Sequence, residues 1–377
     1  MTDLDTLPEI LLMGPGPSAV PPQIYHALSR PTLGHLDPVF LTIMDEIKEN
    51  LGTIYKAPAG SLTIPLSGTG SSGMEAAFAN LVEPGDKVLV LINGVFGMRM
   101  QDVATRLRAE VDTLEFEWGT PVIPAEVKKK LANSNYDIVA VVHAETSTGV
   151  ANPVAEISAL LDELPERPLY LVDCVTSFGG MEVDLKKWQV DAAYSGTQKC
   201  LSCPPGLSPF ALSPKAVQRL KNRKTKVPNW YLDVTMLVNY WEAGGGGARV
   251  YHHTAPINML YGLHTALRLV LEEGLEKTFA RHREAHSQLV SGLAGIGLEM
   301  FVDESCRLPM LNSVKVPDGV DEAKVRKSLR EEFQIEIGPG LGPLAGKIWR
   351  IGLMGYTARP ENVERVLSAL QKSIEKA

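Results

Sequence analysis

Lys199, in the stretch Asp191-Ala-Ala-Tyr-Ser-Gly-Thr-Gln-Lys199-Cys200, follows a short apolar run, and Asp173 closes another, Leu169-Tyr-Leu-Val-Asp173. An amine and an acid at the carboxyl ends of two strands of one α/β sheet can face the same crevice, where such sheets bind ligands. A lysine amine condenses with an aldehyde cofactor, and an aspartate can hold a pyridine nitrogen protonated. Together the two suggest pyridoxal phosphate. Taken singly, each has a plain explanation: acids are common at sheet edges, and a loop lysine is usually solvated.

Three other segments could converge on the same crevice. Ser67-Gly68-Thr69-Gly70-Ser71-Ser72-Gly73 lies between an apolar run and the helical stretch Met74–Leu81. Glycines let backbone approach an anion, and a helix N-terminus presents unpaired N–H groups. No Gly-Lys-Ser/Thr follows, so this is not a Walker A loop; a phosphate loop and an ordinary tight turn both remain open. Phe96, after the run Val88–Ile92, could stack on a flat heteroaromatic ring or fill the core. Glu145-Thr146-Ser147-Thr148-Gly149 places hydroxyls after another run, though turn chemistry explains it equally well. The argument is convergence, since all these positions follow strands on the ligand side of one sheet.

The elements that must position them alternate in type. Strands are expected at Lys87–Ile92, Val111–Phe116, Ile138–His143, Leu169–Val172 and Ala192–Ser195. Helices are expected at Ser72–Leu81, Met98–Arg108, Pro124–Leu131 and Ala155–Leu164. Such alternation gives an α/β fold with a mainly parallel sheet and helices on both faces. Near residue 255 the pattern changes: a long helix follows Pro256 through Leu260, Leu263, Leu267 and Leu271. Further strands are expected at Ser313–Val316 and Ile348–Ile351, and a final helix carries Val363, Val366, Leu367, Leu370 and Ile374 on one face. The expected division is a segment at 1–20 reaching toward the active site or a partner, a large cofactor-binding domain at 21–258, and a smaller α+β domain at 259–377.

At 377 residues the chain is too long for one ordinary core, and 45% hydrophobic with 21% charged residues describes a globular protein. A net charge of −7 argues against nucleic acid as the main partner. No apolar run approaches the roughly 18 residues of a membrane span. The start, Met1-Thr-Asp-Leu-Asp5, has neither a secretory core nor an arginine-rich transit pattern, and four cysteines make no disulfide framework. The cytoplasm is the expected location. There is no internal repeat or low-complexity block.

Nine short motifs occur in order: Gly14-Pro-Gly-Pro17, Ser67-Gly-Thr-Gly70, Leu81-Val-Glu-Pro-Gly-Asp86, Glu145-Thr-Ser-Thr-Gly149, Val172-Asp173, Tyr194-Ser-Gly-Thr-Gln-Lys199, Pro204-Pro-Gly206, Tyr251-His-His-Thr254 and Trp349-Arg-Ile-Gly352. Across nearly its whole length the chain resembles the class V, fold type I aminotransferases, most of all those of the alanine–glyoxylate and serine–pyruvate type. The resemblance implies pyridoxal 5′-phosphate, with Lys199 as the Schiff-base lysine and Asp173 as partner of the pyridine nitrogen. Thr69, Gly70, Ser71 and Gln198 would hold the phosphate, Thr146 the phenolic oxygen, and Phe96 would stack on the ring. Tyr251 and Thr254 would reach the phosphate of a neighbouring subunit, which implies a homodimer. Arg350 would clamp the substrate carboxylate, the geometry a guanidinium suits.

Two positions depart from the pattern: Phe96 stands where tryptophan is frequent, and Ser71 where histidine can occur. The implied reaction moves an amino group from alanine or serine to glyoxylate or pyruvate. One methyl or hydroxyl is worth only about 1–3 kcal/mol in a pocket, so an (S)-ureidoglycine–glyoxylate enzyme is the alternative within the family. A lyase of cysteine-desulfurase type is the other alternative, with Cys306 the distal thiol to consider. Cys200-Leu-Ser-Cys203 matches a zinc or redox motif poorly, because Lys199 occupies the proline position of the deaminase signature. His252 and His253 are expected on opposite faces of an extended segment, unable to share an ion. Gly244–Gly247 reads as a flexible loop.

Overall fold

Mostly apolar runs of three to six residues, buried along most of their length except in the edge strand Glu110–Glu115, assemble the central sheet of the computed structural model, which describes residues 3–242 and 249–377. In chain order these are β1 (Leu62–Ser67), β2 (Lys87–Ile92), β3 (Glu110–Glu115), β4 (Ile138–Val142), β5 (Leu169–Asp173), β6 (Ala192–Tyr194) and β7 (Leu207–Leu212). Their order across the sheet is β1-β7-β6-β5-β4-β2-β3. β7 runs antiparallel to both neighbours, and the remaining pairs are parallel. Two antiparallel pairings in succession restore direction, so β1 points the same way as β6. The carboxyl ends of β1, β2, β4, β5 and β6 therefore meet along one edge. Strand order reverses beside β2, the kind of switch point where such sheets open a ligand crevice.

The helices follow from punctuation as much as from periodicity. α1 (Pro22–Leu28) and α2 (Pro38–Ile54) both start on proline, and Asp37 caps α2 by accepting from Val39 N at 2.8 Å. α2 buries Phe40, Met44, Ile47, Leu51 and Ile54, a spacing of four and three. α3 (Gly70–Leu81), α4 (Val95–Arg106), α5 (Pro124–Leu131), α6 (Val154–Asp162), α7 (Pro214–Lys221) and α8 (Val234–Trp241) complete the set around the sheet. Strand and helix ends move by a few residues from expectation: α4, for example, begins at Val95 rather than Met98. Among these, β7, α1, α2, α7 and α8 have no counterpart in the expected elements.

A second, smaller sheet contains β8 (Leu311–Lys315), β9 (Gly338–Pro339) and β10 (Ile348–Gly352), in the order β8-β10-β9 and all antiparallel. It packs with α10 (Leu275–Gly295), α11 (Glu322–Phe333) and α12 (Pro360–Ile374) in a core running from Ala285 to Leu370. α9 (Ile257–Glu273) lies in the larger core instead, with Ile257, Leu260, Leu263, Leu267 and Val270 buried there. A boundary at 258/259 would thus cut α9 from its packing partners; its apolar face is covered by α1 and α2.

The N-terminal stretch belongs to both cores. Leu11 and Leu12 pair in parallel with Ile335 and Glu336, and Met13 is buried in the smaller core. The chain then turns toward β6 and the lysine that follows it. The Gly244–Gly247 segment lies outside the described residues.

Candidate active site

Gly68 makes the turn out of β1 at φ +141, where a β-carbon would lie 2.5 Å from Ser72 Oγ. Thr69 then stands at the N-cap of α3 without a side-chain capping bond, and the first N–H groups of the helix have no acceptor within it. From the neighbouring strand ends come Phe96 on α4, Asp173 at the last position of β5, and Gln198 and Lys199 after β6. Thr69, Gly70, Ser71, Met74, Phe96, Arg99, Asp173, Val175, Gln198 and Lys199 line one cleft. Seven of these are residues expected from sequence.

Burial sets the electrostatics. Asp173 is 2% exposed, and its carboxyl is pushed up to about 7 by that burial, against the pull of Val175 N, which donates to Oδ1 at 2.8 Å. The Lys199 amine is lowered to about 8, first by burial and then by the Arg350 guanidinium nearby. A lysine near 8 is substantially neutral, and so nucleophilic, a little above neutral pH. Burial lowers Arg350 to about 10, opposed by Glu145. A cation this deep is costly unless an anion arrives to meet it.

Arg350 stands on β10, where it pairs with Ser313 and Gly338. Its Nε donates to Pro339 O at 2.7 Å and Nη1 to Thr146 O at 3.0 Å. Thr146 is therefore tied to Arg350 through its backbone. The remaining Nη1 and Nη2 donors are available for a carboxylate.

The Gly14–Ser18 segment, part of the stretch expected to reach toward the active site or a partner, touches the lysine directly. Lys199 Nζ donates to Pro15 O, Ser18 Oγ donates to Lys199 O at 2.7 Å, and Ser18 N donates to Gln198 O at 2.9 Å. Gly352 N donates to Met13 O at 2.7 Å, so the same strap reaches the strand bearing Arg350.

Glu145 is fully buried, and burial raises its carboxyl above the usual range. It accepts from Ser147 Oγ at 2.6 Å, Ser147 N at 3.0 Å and Phe96 N at 3.2 Å, while Ser147 Oγ accepts from Val95 N at 3.0 Å. The pair caps α4 from another element, a service Gly94 at the N-cap cannot perform. A β-carbon on Gly94 would sit 2.5 Å from Glu145 and Ser147 atoms. The sequence left 145–149 open between hydroxyls facing a ligand and a turn, and neither reading discloses this cap. It also missed Arg99, although a cation three residues after Phe96 on a helix must share its face.

Tyr251 and Thr254 do not line the cleft of their own chain. Tyr251 is 52% exposed, and its hydroxyl lies 3.3 Å from Thr254 Oγ1. The His252 and His253 rings do not diverge as expected: their Nδ1 atoms are 2.9 Å apart. The segment is not a strand, so strand alternation does not apply, and the rings instead pack on Trp230 and Tyr231. Among the described residues, no group of three or more His, Cys, Asp or Glu could hold a metal ion.

The four cysteines are free and buried. Cys200 Sγ donates to Thr176 O at 3.2 Å, whereas Cys203 packs toward Gly262, so the two thiols serve different contacts. Cys306 sits with Val150 and Val302, outside the residues lining the cleft.

The site fits a phosphorylated heteroaromatic aldehyde. Donors of α3 and its hydroxyls form one end, and the buried amine and acid form the other. The Gln198 amide keeps a buried Oε1 without a partner, and a β-carbon on Gly70 would come to 3.0 Å from Val175, close enough that the valine would have to give way. A family model described as aminotransferase class-V matches residues 22–366. The (S)-ureidoglycine–glyoxylate transaminase of Bacillus subtilis is 39% identical, covering 96% of this chain and 89% of that protein. The alanine–glyoxylate aminotransferase of Drosophila melanogaster is 40% identical over 98% of this chain and 93% of its own length. The structure of an alanine–glyoxylate aminotransferase from Nostoc sp. superposes with a TM-score of 0.95 at 45% identity, covering 99% of this chain and 97% of the other.

Proposed function

The chain belongs to the class V aminotransferases, and we propose that it moves an amino group from a small amino acid, alanine or serine, to glyoxylate or pyruvate. It is an enzyme of pyridoxal phosphate, which when bound supplies the aldehyde that takes up the amino group and a ring that accepts electrons from the substrate α-carbon. The observation that carries the reading is the convergence of Lys199, Asp173 and the 69–71 loop on one cleft, with Arg350 held beside it.

Each residue then has a task. Asp173, buried at the end of β5, would meet the ring nitrogen as a carboxylate and favour its protonated form. Lys199 would hold the aldehyde of the bound cofactor, and its amine is the base placed to take the proton from the substrate α-carbon. Arg350 fixes the substrate carboxylate so that the α-hydrogen stays aligned with Lys199. Thr69, Gly70, Ser71 and Gln198 would hold the phosphate, Phe96 would cover the ring, and Thr146 would meet the phenolic oxygen.

Tyr251 and Thr254 complete the phosphate site of a second copy, so the working form is a homodimer. Exposed Trp230, Tyr231, Val250 and Tyr251 supply apolar area for that contact. Among the described residues, no helix is long and apolar enough to cross a membrane. The proposed location is the cytoplasm.

The 39% identity to a ureidoglycine enzyme keeps (S)-ureidoglycine as a second donor reading. A desulfurase-type lyase is disfavoured by the placement of Cys306. A panel of alanine, serine and (S)-ureidoglycine against glyoxylate and pyruvate tests the choice. Alanine or serine giving the highest kcat/KM supports the first reading, and preference for ureidoglycine replaces it.

A further inference from the structure

The residues proposed to hold the cofactor phosphate, Thr69, Gly70, Ser71 and Gln198 with Tyr251 and Thr254 of the second copy, are all uncharged. A phosphate monoester has a second pKa near 6 and is mostly a dianion at neutral pH. The start of α3 offers a partial charge of about +0.5, which leaves more than one negative charge without a partner. Among the described residues that line the cleft, two side chains are cationic, Lys199 and Arg99. Lys199 is engaged at the aldehyde end.

Arg99 stands three residues after Phe96 on α4, with its Cζ 5.0 Å from the centre of the Phe96 ring. Its Nη1 lies 3.4 Å from Ser71 Oγ. The ring braces the guanidinium and limits the rotamer freedom that it would lose on closing over an anion. Arg99 sits at the exposed rim, so little of its own hydration is lost in the free protein. A guanidinium can also take two phosphate oxygens at once.

We propose that Arg99 is the anion anchor of the cleft, closing on the cofactor phosphate opposite the start of α3. This rests on the pyridoxal phosphate reading above and extends it to a residue outside the motif loops. Arg99 discriminates phosphorylated from unphosphorylated cofactor, and its contribution weakens with salt.

Cofactor-stripped protein is titrated with pyridoxal phosphate and with pyridoxal, following absorbance and intrinsic fluorescence rather than turnover. For Arg99→Gln the affinity for pyridoxal phosphate falls about tenfold or more, while that for pyridoxal changes less than about threefold. Arg106→Gln is the control, since Arg106 is exposed on the same helix and paired with Asp102 at 2.8 Å. Equal weakening of both ligands by Arg99→Gln would mean a merely structural role and overturn the inference, as would no change in either. Wild-type protein that binds pyridoxal as tightly as pyridoxal phosphate would overturn the phosphate seat itself, together with the role of Arg99.

Discussion

Gly16 lies against the side chain of Lys199: a β-carbon on Gly16 would fall 2.8 Å from both Cδ and Nζ of the lysine. Gly16 also holds φ at +107, a conformation that L side chains rarely adopt. Gly16→Ala therefore has to shift the strap or the lysine. Turnover is expected to fall by about 100-fold, the scale of a catalytic group misplaced by an ångström. The melting temperature should move only modestly, because neither core is touched. Near-normal kcat would show that the strap does not set the lysine.

Asp173→Asn should retain cofactor but lose most turnover, since a neutral amide cannot hold the ring nitrogen protonated. The same change should stabilise the cofactor-free protein. Asp173 has its folded pKa raised to about 7, above the ordinary 3.8, so between those values the folded state keeps a proton that the unfolded state has lost. Stability from this group falls as pH rises through that window. Thermal melts should show the gain from Asp173→Asn larger at pH 8 than at pH 5; a gain that shrinks as pH rises would contradict the assignment.

Arg350→Lys should keep charge while losing the fork. Lysine cannot reproduce the bonds to Pro339 O and Thr146 O and still present two donors to a carboxylate. KM for amino donor and oxo acid is expected to rise about tenfold or more, with cofactor affinity nearly unchanged. Steady-state kinetics beside a cofactor titration separate the two effects.

Cofactor capture should be pH-dependent through Lys199. Its amine is lowered to about 8, mainly by burial, and only the neutral form attacks an aldehyde. The rate at which stripped protein takes up pyridoxal phosphate should rise with pH to a midpoint near 8. A midpoint near the ordinary lysine value of about 10.4 would place the amine in solvent.

Much of the larger sheet was legible because parallel strands buried on both faces leave apolar runs, and the motifs follow their ends. Asp173 and Lys199 could be paired from sequence for that reason. β7 escaped because Leu207–Leu212 contains Ser208 and Pro209 and follows β6 with no helix between them. α9 was assigned to the wrong core because its periodicity reveals an apolar face but not what covers it. The Glu145 cap and the Pro15–Ser18 strap are long-range contacts, spanning 49 residues from Glu145 to Phe96 and 181 from Ser18 to Lys199. The resemblance implies that residues 1–20 reach toward the site, but no local pattern encodes which atoms meet.

The most direct measurement is borohydride reduction of cofactor-saturated protein, followed by peptide mapping. A pyridoxyl group on the ε-nitrogen of Lys199 is the predicted result. Label on another lysine, or none on the peptide that contains Lys199, would contradict the account at its centre.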